Sequence, residues 1–364
     1  MVFLERRLYF HLDWLLLATV LVIVAMGITM IYSATQATTP RLFMSQAYAL
    51  GLGLVALLIA LSVDYRTLAD KSHWIYGLTI ALLIYVMLFG VVRGGARRWI
   101  PLGFFNLQPS EFAKLAVALV LAKFFGESRR QQPNGVDLLT GAALALIPML
   151  LIARQPDLGT AVTLIPVYLA VAYVAGLPMR VLGVVALVAL MAAPLAWKFA
   201  LKDYQKSRIM MFIDPSKDTR GAGYQQIQAR ITVGSGGLWG KGFMKGTQGQ
   251  LRFLPVAHND FIFSAWAEEQ GFVGVLIALG LYLLVITRSL EAARLAKDRL
   301  GSYLVLGILA SFTFQVFYNI TMSAGLAPVK GLTLPLMSYG GSSLIATLTG
   351  FGLILNVRMR RFTN

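Results

Sequence analysis

Residues 138–176 read LLTGAALALIPMLLIARQPDLGTAVTLIPVYLAVAYVAG. Two apolar runs, 138–154 and 158–176, are parted only by Arg154-Gln155-Pro156-Asp157. Each run approaches the ~20 residues a helix needs to cross about 30 Å of hydrocarbon. The polar gap is too short for anything but a tight hairpin, so the stretch reads as two antiparallel membrane-spanning helices. Outward from it, eight more segments qualify: 14–33, 43–63, 74–92, 106–125, 180–199, 261–287, 302–324 and 333–356. The expected fold is an all-α integral membrane protein, a single polytopic domain over 1–364 with about ten transmembrane helices. Segment 106–125 is the least typical, because Glu111 and Lys114 lie inside it. The run that starts at Trp14 has no small-residue cleavage site and reads as a retained span rather than a signal peptide.

Composition agrees. The 364 residues are 57% hydrophobic and 13% charged, with a mean hydropathy of +0.70, whereas a soluble domain carries about 25% charged residues. That excludes a water-soluble enzyme, a disordered chain and a disulfide scaffold; with no cysteine there is also no thiolate ligand or catalytic thiol. The net charge of +16 comes from bases in short gaps between apolar runs, which points to anionic head groups and membrane orientation rather than nucleic acid. With the N-terminus inside, fifteen Lys and Arg fall on the inner side, among them Arg6, Arg7, Arg129 and Arg130. Six fall in the short outer loops: Arg41, Arg93, Arg97, Arg98, Arg154 and Lys330. The positive-inside rule then places both termini in the cytoplasm.

One connection stands apart. Residues 200–260, between the seventh and eighth spans, form a long extracytoplasmic loop, and from Lys198 to Asp260 there are ten Lys/Arg against four Asp. An amphipathic piece is expected over 204–212 and a second helical stretch near 224–233, with Ile227 and Ile231 on one face. Gly234-Ser235-Gly236-Gly237 and Gly240-Lys241-Gly242 then break the chain into turns. The nearest Walker-like string, Ser235 to Gly242, lacks the first Gly and the Ser/Thr after the Lys, so no nucleotide site is expected. The inner loops are too short to build one.

Carboxylates on the outer side or within the membrane are few: Glu111, Asp157, Asp203, Asp214, Asp218, Asp260, Glu268 and Glu269. No two of the histidines, His11, His73 and His258, are close enough for a zinc site. Glu111 and Lys114 are spaced i, i+3 and share a helix face; they read as a neutralising ion pair, as a functional pair, or as both. Asp260 opens the eighth span and reads either as a helix N-cap or as a surface carboxylate facing the basic loop. Arg97, Arg98, Arg208, Lys241 and Lys245 suit phosphate groups or lipid head groups. Ser338-Tyr339-Gly340-Gly341-Ser342-Ser343 reads first as a small-residue packing face, and alternatively as irregular backbone lining a cavity.

At these residues the chain resembles the SEDS family (shape, elongation, division and sporulation proteins). The resemblance runs over essentially the whole length. It is carried by Gly95-Ala96-Arg97-Arg98-Trp99, by Gln108-Pro109-Ser110-Glu111-Phe112-Ala113-Lys114 and by Gln155-Pro156-Asp157-Leu158-Gly159-Thr160. Further along it is carried by Gly234-Ser235-Gly236-Gly237-Leu238, by Leu254-Pro255 with His258-Asn259-Asp260-Phe261, and by Pro335-Leu336-Met337-Ser338-Tyr339-Gly340-Gly341-Ser342. Gly240-Lys241-Gly242 and Gly246-Thr247-Gln248 are similar to the RodA branch, whereas Lys330-Gly331-Leu332-Thr333-Leu334-Pro335 is similar to the FtsW branch. Asn259 stands where the family usually has Thr.

The resemblance implies a peptidoglycan glycosyltransferase of ten spans in the bacterial cytoplasmic (inner) membrane. Such an enzyme polymerises lipid II into β-1,4-linked glycan on the outer face during cell elongation. It implies as partners a class B penicillin-binding protein and other elongation-complex membrane proteins, and as cofactor a divalent cation (Mg or Mn) with no nucleotide. The family's essential acid matches Asp260, and its buried Glu–Lys pair matches Glu111 and Lys114. Turning an α-linked pyrophosphate into a β-linked product takes one inverting displacement, one general base and cations facing the leaving pyrophosphate. Asp260 is expected as the base, with His258 in reserve. Arg98, Lys114, Arg208 and Lys241 are expected to face pyrophosphate, and Asp157, His258, Ser338, Tyr339 and Ser342 to complete the substrate site. The competing readings are a lipid II flippase, against which stands the lack of an inverted repeat between spans 1–5 and 6–10, and a membrane scaffold.

Overall fold

The computed structural model describes residues 11–362 apart from 37–38, 94–95, 103–105, 129–131, 201–202, 219–220, 251–252 and 255–256. Arg6, Arg7, Arg129 and Arg130 of the inner-side count, and Gly95 and Pro255 of the quoted strings, lie outside the described residues. The long helices are α1 (Trp14–Thr35), α2 (Pro40–Ser62), α3 (Ser72–Phe89), α4 (Pro109–Gly126), α5 (Gly135–Arg154), α6 (Leu158–Ala175), α7 (Met179–Leu195), α8 (Ile262–Arg294), α9 (Arg299–Ser323) and α10 (Gly341–Met359). Each of the ten sequence segments overlaps one of them. Eight are long and apolar enough to cross a membrane. The other two are α4, which carries Glu111, Lys114 and Lys123, and α7, which has 17 residues. Outward-facing side chains such as Leu150, Val184, Leu190 and Phe317 are apolar and more than half exposed. Helices apolar on both faces belong in a bilayer.

Several boundaries differ from expectation: the third helix ends at Phe89, not 92, before a strand, and the seventh at Leu195, not 199. The fourth helix starts at Pro109, not at 106, because Asn106–Leu107 is a strand, β3. It closes a small antiparallel sheet with β1 (Val91–Arg93) and β2 (Ala96–Pro101). Pro109, with no N–H to give the strand, opens the helix. The last helix starts at Gly341, not at 333: the Ser338 hydroxyl accepts from Leu334 N (2.8 Å) and holds 334–338 as a turn, with Leu336 at φ 69. The eighth runs on to Arg294 but breaks at Gly271 (φ 67, ψ −167), a conformation essentially confined to glycine.

At the bundle centre is α10, with 83% of its apolar window buried, against 22% for α2, α3 and α5. It meets α2 closely through Gly352, where an added Cβ would come within 2.8 Å of Ala60 Cβ and Leu57 O. Asn356 fixes the same contact, its Nδ2 donating to the carbonyls of Ala60, Leu61 and Val63. The end of the bundle where α1 begins and α10 ends is tied by charge. Asp13 caps α1 and meets Arg288 at 3.0 Å and Arg358 at 2.6 Å, while Asp298 meets Arg66 at 2.9 Å. The opposite end is open, and the loop helices Asp203–Ile213 and Ala222–Ser235 lie there. Ile227 and Ile231 do share a face of the second, but it is the exposed one; Gln226, Ala229 and Thr232 are buried.

Candidate active site

Asp260 ends the loop just before α8. The N-cap of α8 is Phe261, with no side-chain cap, so the capping reading of Asp260 does not hold. Its backbone is pinned instead: Asn319 Nδ2 on α9 donates to Asp260 O (2.8 Å) and to Leu332 O (2.6 Å). The Ser338 hydroxyl donates to Asn259 O (2.6 Å), and Tyr339 N donates to His258 O (2.9 Å). Segments 258–260 and 332–339 are thereby stitched side by side, and the side chain of Asp260 is left free of backbone duties. Its Oδ1 is buried without a hydrogen-bond partner among the described residues. An added Cβ at Gly331 (φ 64) would lie 3.5 Å from Oδ2, so the carboxylate rests against that turn. Burial pushes Asp260 up to about 6, against the lowering pull of Arg208 and Arg98.

Facing it, the hairpin that first suggested the fold supplies Asp157. This residue caps α6 by accepting from Thr160 N (3.2 Å), takes Gln108 Nε2 at 3.0 Å and meets Arg98, carried on β2, at 3.6 Å. Burial raises its carboxyl and Arg98 opposes the rise. Gln108 N donates to the Ser342 hydroxyl, which donates to Asn106 O, both at 2.9 Å, locking α10 to the β3 end of the sheet. Between these walls lies a cavity of about 520 Å³. It brings together Asp260, Asp157, Arg98, Arg208, Glu111, Tyr339 and Ser342 of the expected residues. Tyr339 to Ser343 line it, so the cavity-lining reading of that string holds, beside packing contacts such as Gly341 on Ala49.

The remaining expected residues sit elsewhere. Lys114, buried, donates to Glu111 Oε2 (2.8 Å) and Gln315 Oε1 (3.0 Å) and is not on the cavity wall. Ser338 acts on backbone, and His258 packs edge-on against Tyr339 with its imidazole held below its usual range by burial. Lys241 is drawn away altogether. It pairs at 2.6 Å with Glu268, a fully buried acid that also accepts from Thr247 N and Gln248 N. Reading by sequence missed Lys330, Gln108, Asn319 and Gln315. The last two, polar residues at i, i+4 inside an apolar span, carried a visible signal; Lys330 looked like one outer base among six.

No three carboxylate or imidazole side chains cluster to hold a metal among the described residues. The donor set therefore does not make an all-protein cage. It is compatible with Mg²⁺ or Mn²⁺ of the kind held by one or two carboxylates plus substrate phosphates, Asp260 and Asp157 being the carboxylates on the cavity wall that would contact it.

Comparison with known proteins bears on this geometry. Residues 13–362 match the model of the FtsW/RodA/SpoVE cell cycle protein family. The peptidoglycan glycosyltransferase MrdB of Escherichia coli (strain K12) is 40% identical over 353 residues, 96% of this chain and 94% of that one. A solved peptidoglycan synthase complex that coordinates polymerization and crosslinking contains a chain with TM-score 0.84 and 37% identity, covering 97% of this chain and 99% of that one. The rod shape determining protein RodA of Thermus thermophilus superposes with TM-score 0.73 at 35% identity, over 97% of this chain and 98% of that one. Similarity of this extent, in sequence and in fold, means that the chain belongs to the FtsW/RodA/SpoVE family of cell cycle proteins, the SEDS family.

Proposed function

We infer that the chain is a multi-pass membrane peptidoglycan glycosyltransferase that polymerises lipid II, in the inner membrane with both termini in the cytoplasm. The similarity to MrdB supports the activity. The observation that carries the mechanism is the Asp260 carboxylate, desolvated, with one oxygen unpartnered among the described residues, on the wall of a cavity that Arg98 and Arg208 also line. In the proposed reaction the acceptor's 4-hydroxyl gives its proton to Asp260 as its oxygen attacks the donor's anomeric carbon. The bond to pyrophosphate breaks on the opposite face, inverting the centre. A base with a pKa near working pH serves both proton acceptance and driving force. Charge developing on the departing pyrophosphate is met by guanidinium groups already in place. Asp157, itself bonded by Gln108, holds Arg98, and Glu111 with Lys114 brace the cavity floor. A bound divalent cation would neutralise pyrophosphate charge beside Asp260. The likeness to a complex that couples polymerization to crosslinking supports a class B penicillin-binding protein as partner.

The test is polymerisation of lipid II by the purified full chain, with and without that partner and with Mg²⁺ or Mn²⁺. Wild type makes long glycan and Asp260→Asn, equally folded, makes none. An active Asp260→Asn removes Asp260 as base. A wild-type chain that moves lipid II between leaflets without polymer makes it a transporter.

A further inference from the structure

Lys330 takes no part in the mechanism above, yet it lines the same cavity as Asp260. It belongs to the turn Lys330-Gly331-Leu332, which Asn319 ties to Asp260 through the two carbonyls it bonds. Tyr318 on α9 fixes its position twice. The phenol donates to Pro328 O (2.8 Å), holding the approach to the turn, and the ammonium sits 5.5 Å from the centre of the same ring. No carboxylate within salt-bridge distance of Lys330 appears among the described residues. Burial holds the ammonium below its usual range, and the neighbouring cation Arg208 adds to the lowering.

The other charges on the wall have partners: Arg98 meets Asp157, and Glu111 is matched by Lys114. That leaves Arg208 and Lys330 against the single carboxylate of Asp260. A partly desolvated ammonium beside a guanidinium is an arrangement that a multiply charged anion relieves. We propose that Lys330, with Arg208, is a phosphate-binding group of this site, seating the pyrophosphate of the lipid-linked substrate in the cavity that both line, with Tyr318 holding the lysine in place. The proposal rests on the glycosyltransferase reading for the identity of the anion, and on the cavity wall for its place.

Binding without turnover separates the two. Full-length protein in nanodiscs is titrated with undecaprenyl pyrophosphate and, as uncharged control, undecaprenol, for wild type, Lys330→Met, Lys330→Gln and Lys330→Arg. The expected result is about tenfold weaker undecaprenyl pyrophosphate binding in the Met and Gln variants, near wild-type binding in the Arg variant, and undecaprenol binding unchanged throughout. Melting temperature decides which neutral variant is read, and the Arg variant reports charge independently of both. Undiminished pyrophosphate binding in a folded neutral variant overturns the proposal, as does equal weakening for both lipids. Absence of polymer from wild type with this pattern intact overturns the glycosyltransferase reading and leaves the phosphate site standing.

Discussion

A carboxylate becomes a useful base when its surroundings disfavour the charged form without supplying a proton of their own. Asp260 meets both conditions: burial raises it, and Oδ1 has no donor among the described residues. The sign for activity follows. Only the ionised form accepts a proton, so kcat/KM for polymerisation is expected to fall as pH drops through about 6 and to level above it. Arg208 lowers the Asp260 value, so in Arg208→Met the midpoint moves to higher pH. A pH–rate profile with no limb near 6, or one that Arg208→Met leaves in place, argues for a different base. Asp260 was legible as a candidate because it stands where the basic outer loop meets a membrane span, in the string His258-Asn259-Asp260-Phe261 that carries the family resemblance. Its orphaned oxygen was not, since that depends on Asn319, 59 residues from Asp260, and Ser338, 79 residues from Asn259, occupying the neighbouring backbone instead.

At the scale of elements the decisive feature is the break in α8. Gly271 interrupts the helix, and the backbone groups it frees are taken up by the glycine-rich loop. Glu268 O and Glu269 O accept from Lys241 N and Gly242 N, while Phe272 N and Val273 N donate to Gly237 O and Leu238 O, all at 2.9–3.2 Å. The side chains reinforce this: Glu269 accepts from Ser33 (2.5 Å) and Met244 N (3.1 Å). An added Cβ at Gly271 would lie 2.2 Å from Gly240 N, and the backbone angle alone costs about 1–3 kcal/mol for other residues. Gly271→Ala is therefore expected to lower the melting temperature by several degrees and to raise hydrogen exchange over 236–248 and 262–270. Gly280→Ala, with open space around its Cβ, is expected to leave both unchanged. Equal behaviour of the two variants contradicts the account. The turns over 236–242 were legible from their glycines, although Gly234 and Ser235 belong to the helix before them; their anchoring to Glu268 and Glu269 was not, because two acids at the head of an apolar run look like a solvated rim.

At the scale of the molecule the two ends are built differently. One is closed by ion pairs around Asp13, Asp64 and Asp298; the other opens into the cavity beneath the basic loop. The chain has no cysteine, so orientation is testable with single introduced thiols. Ser216→Cys in the loop is expected to react with a membrane-impermeant maleimide in intact cells, and Lys297→Cys only after permeabilisation. The reverse pattern would invert the proposed orientation and put the cavity on the cytoplasmic side.

Bilayer physics explains why so much was readable from residues alone. Hydrocarbon demands an unbroken apolar run wherever the chain crosses it, and such a run is a local property, so the class of fold, the near positions of its helices and the hairpin at Arg154–Asp157 were determined by sequence. Charge placement is different, because a cation binds whichever acid the fold brings within a few ångströms. Only the tertiary structure decided that Lys241 belongs to Glu268, that Lys114 turns to Gln315, and that Lys330 lines the same cavity as Asp260.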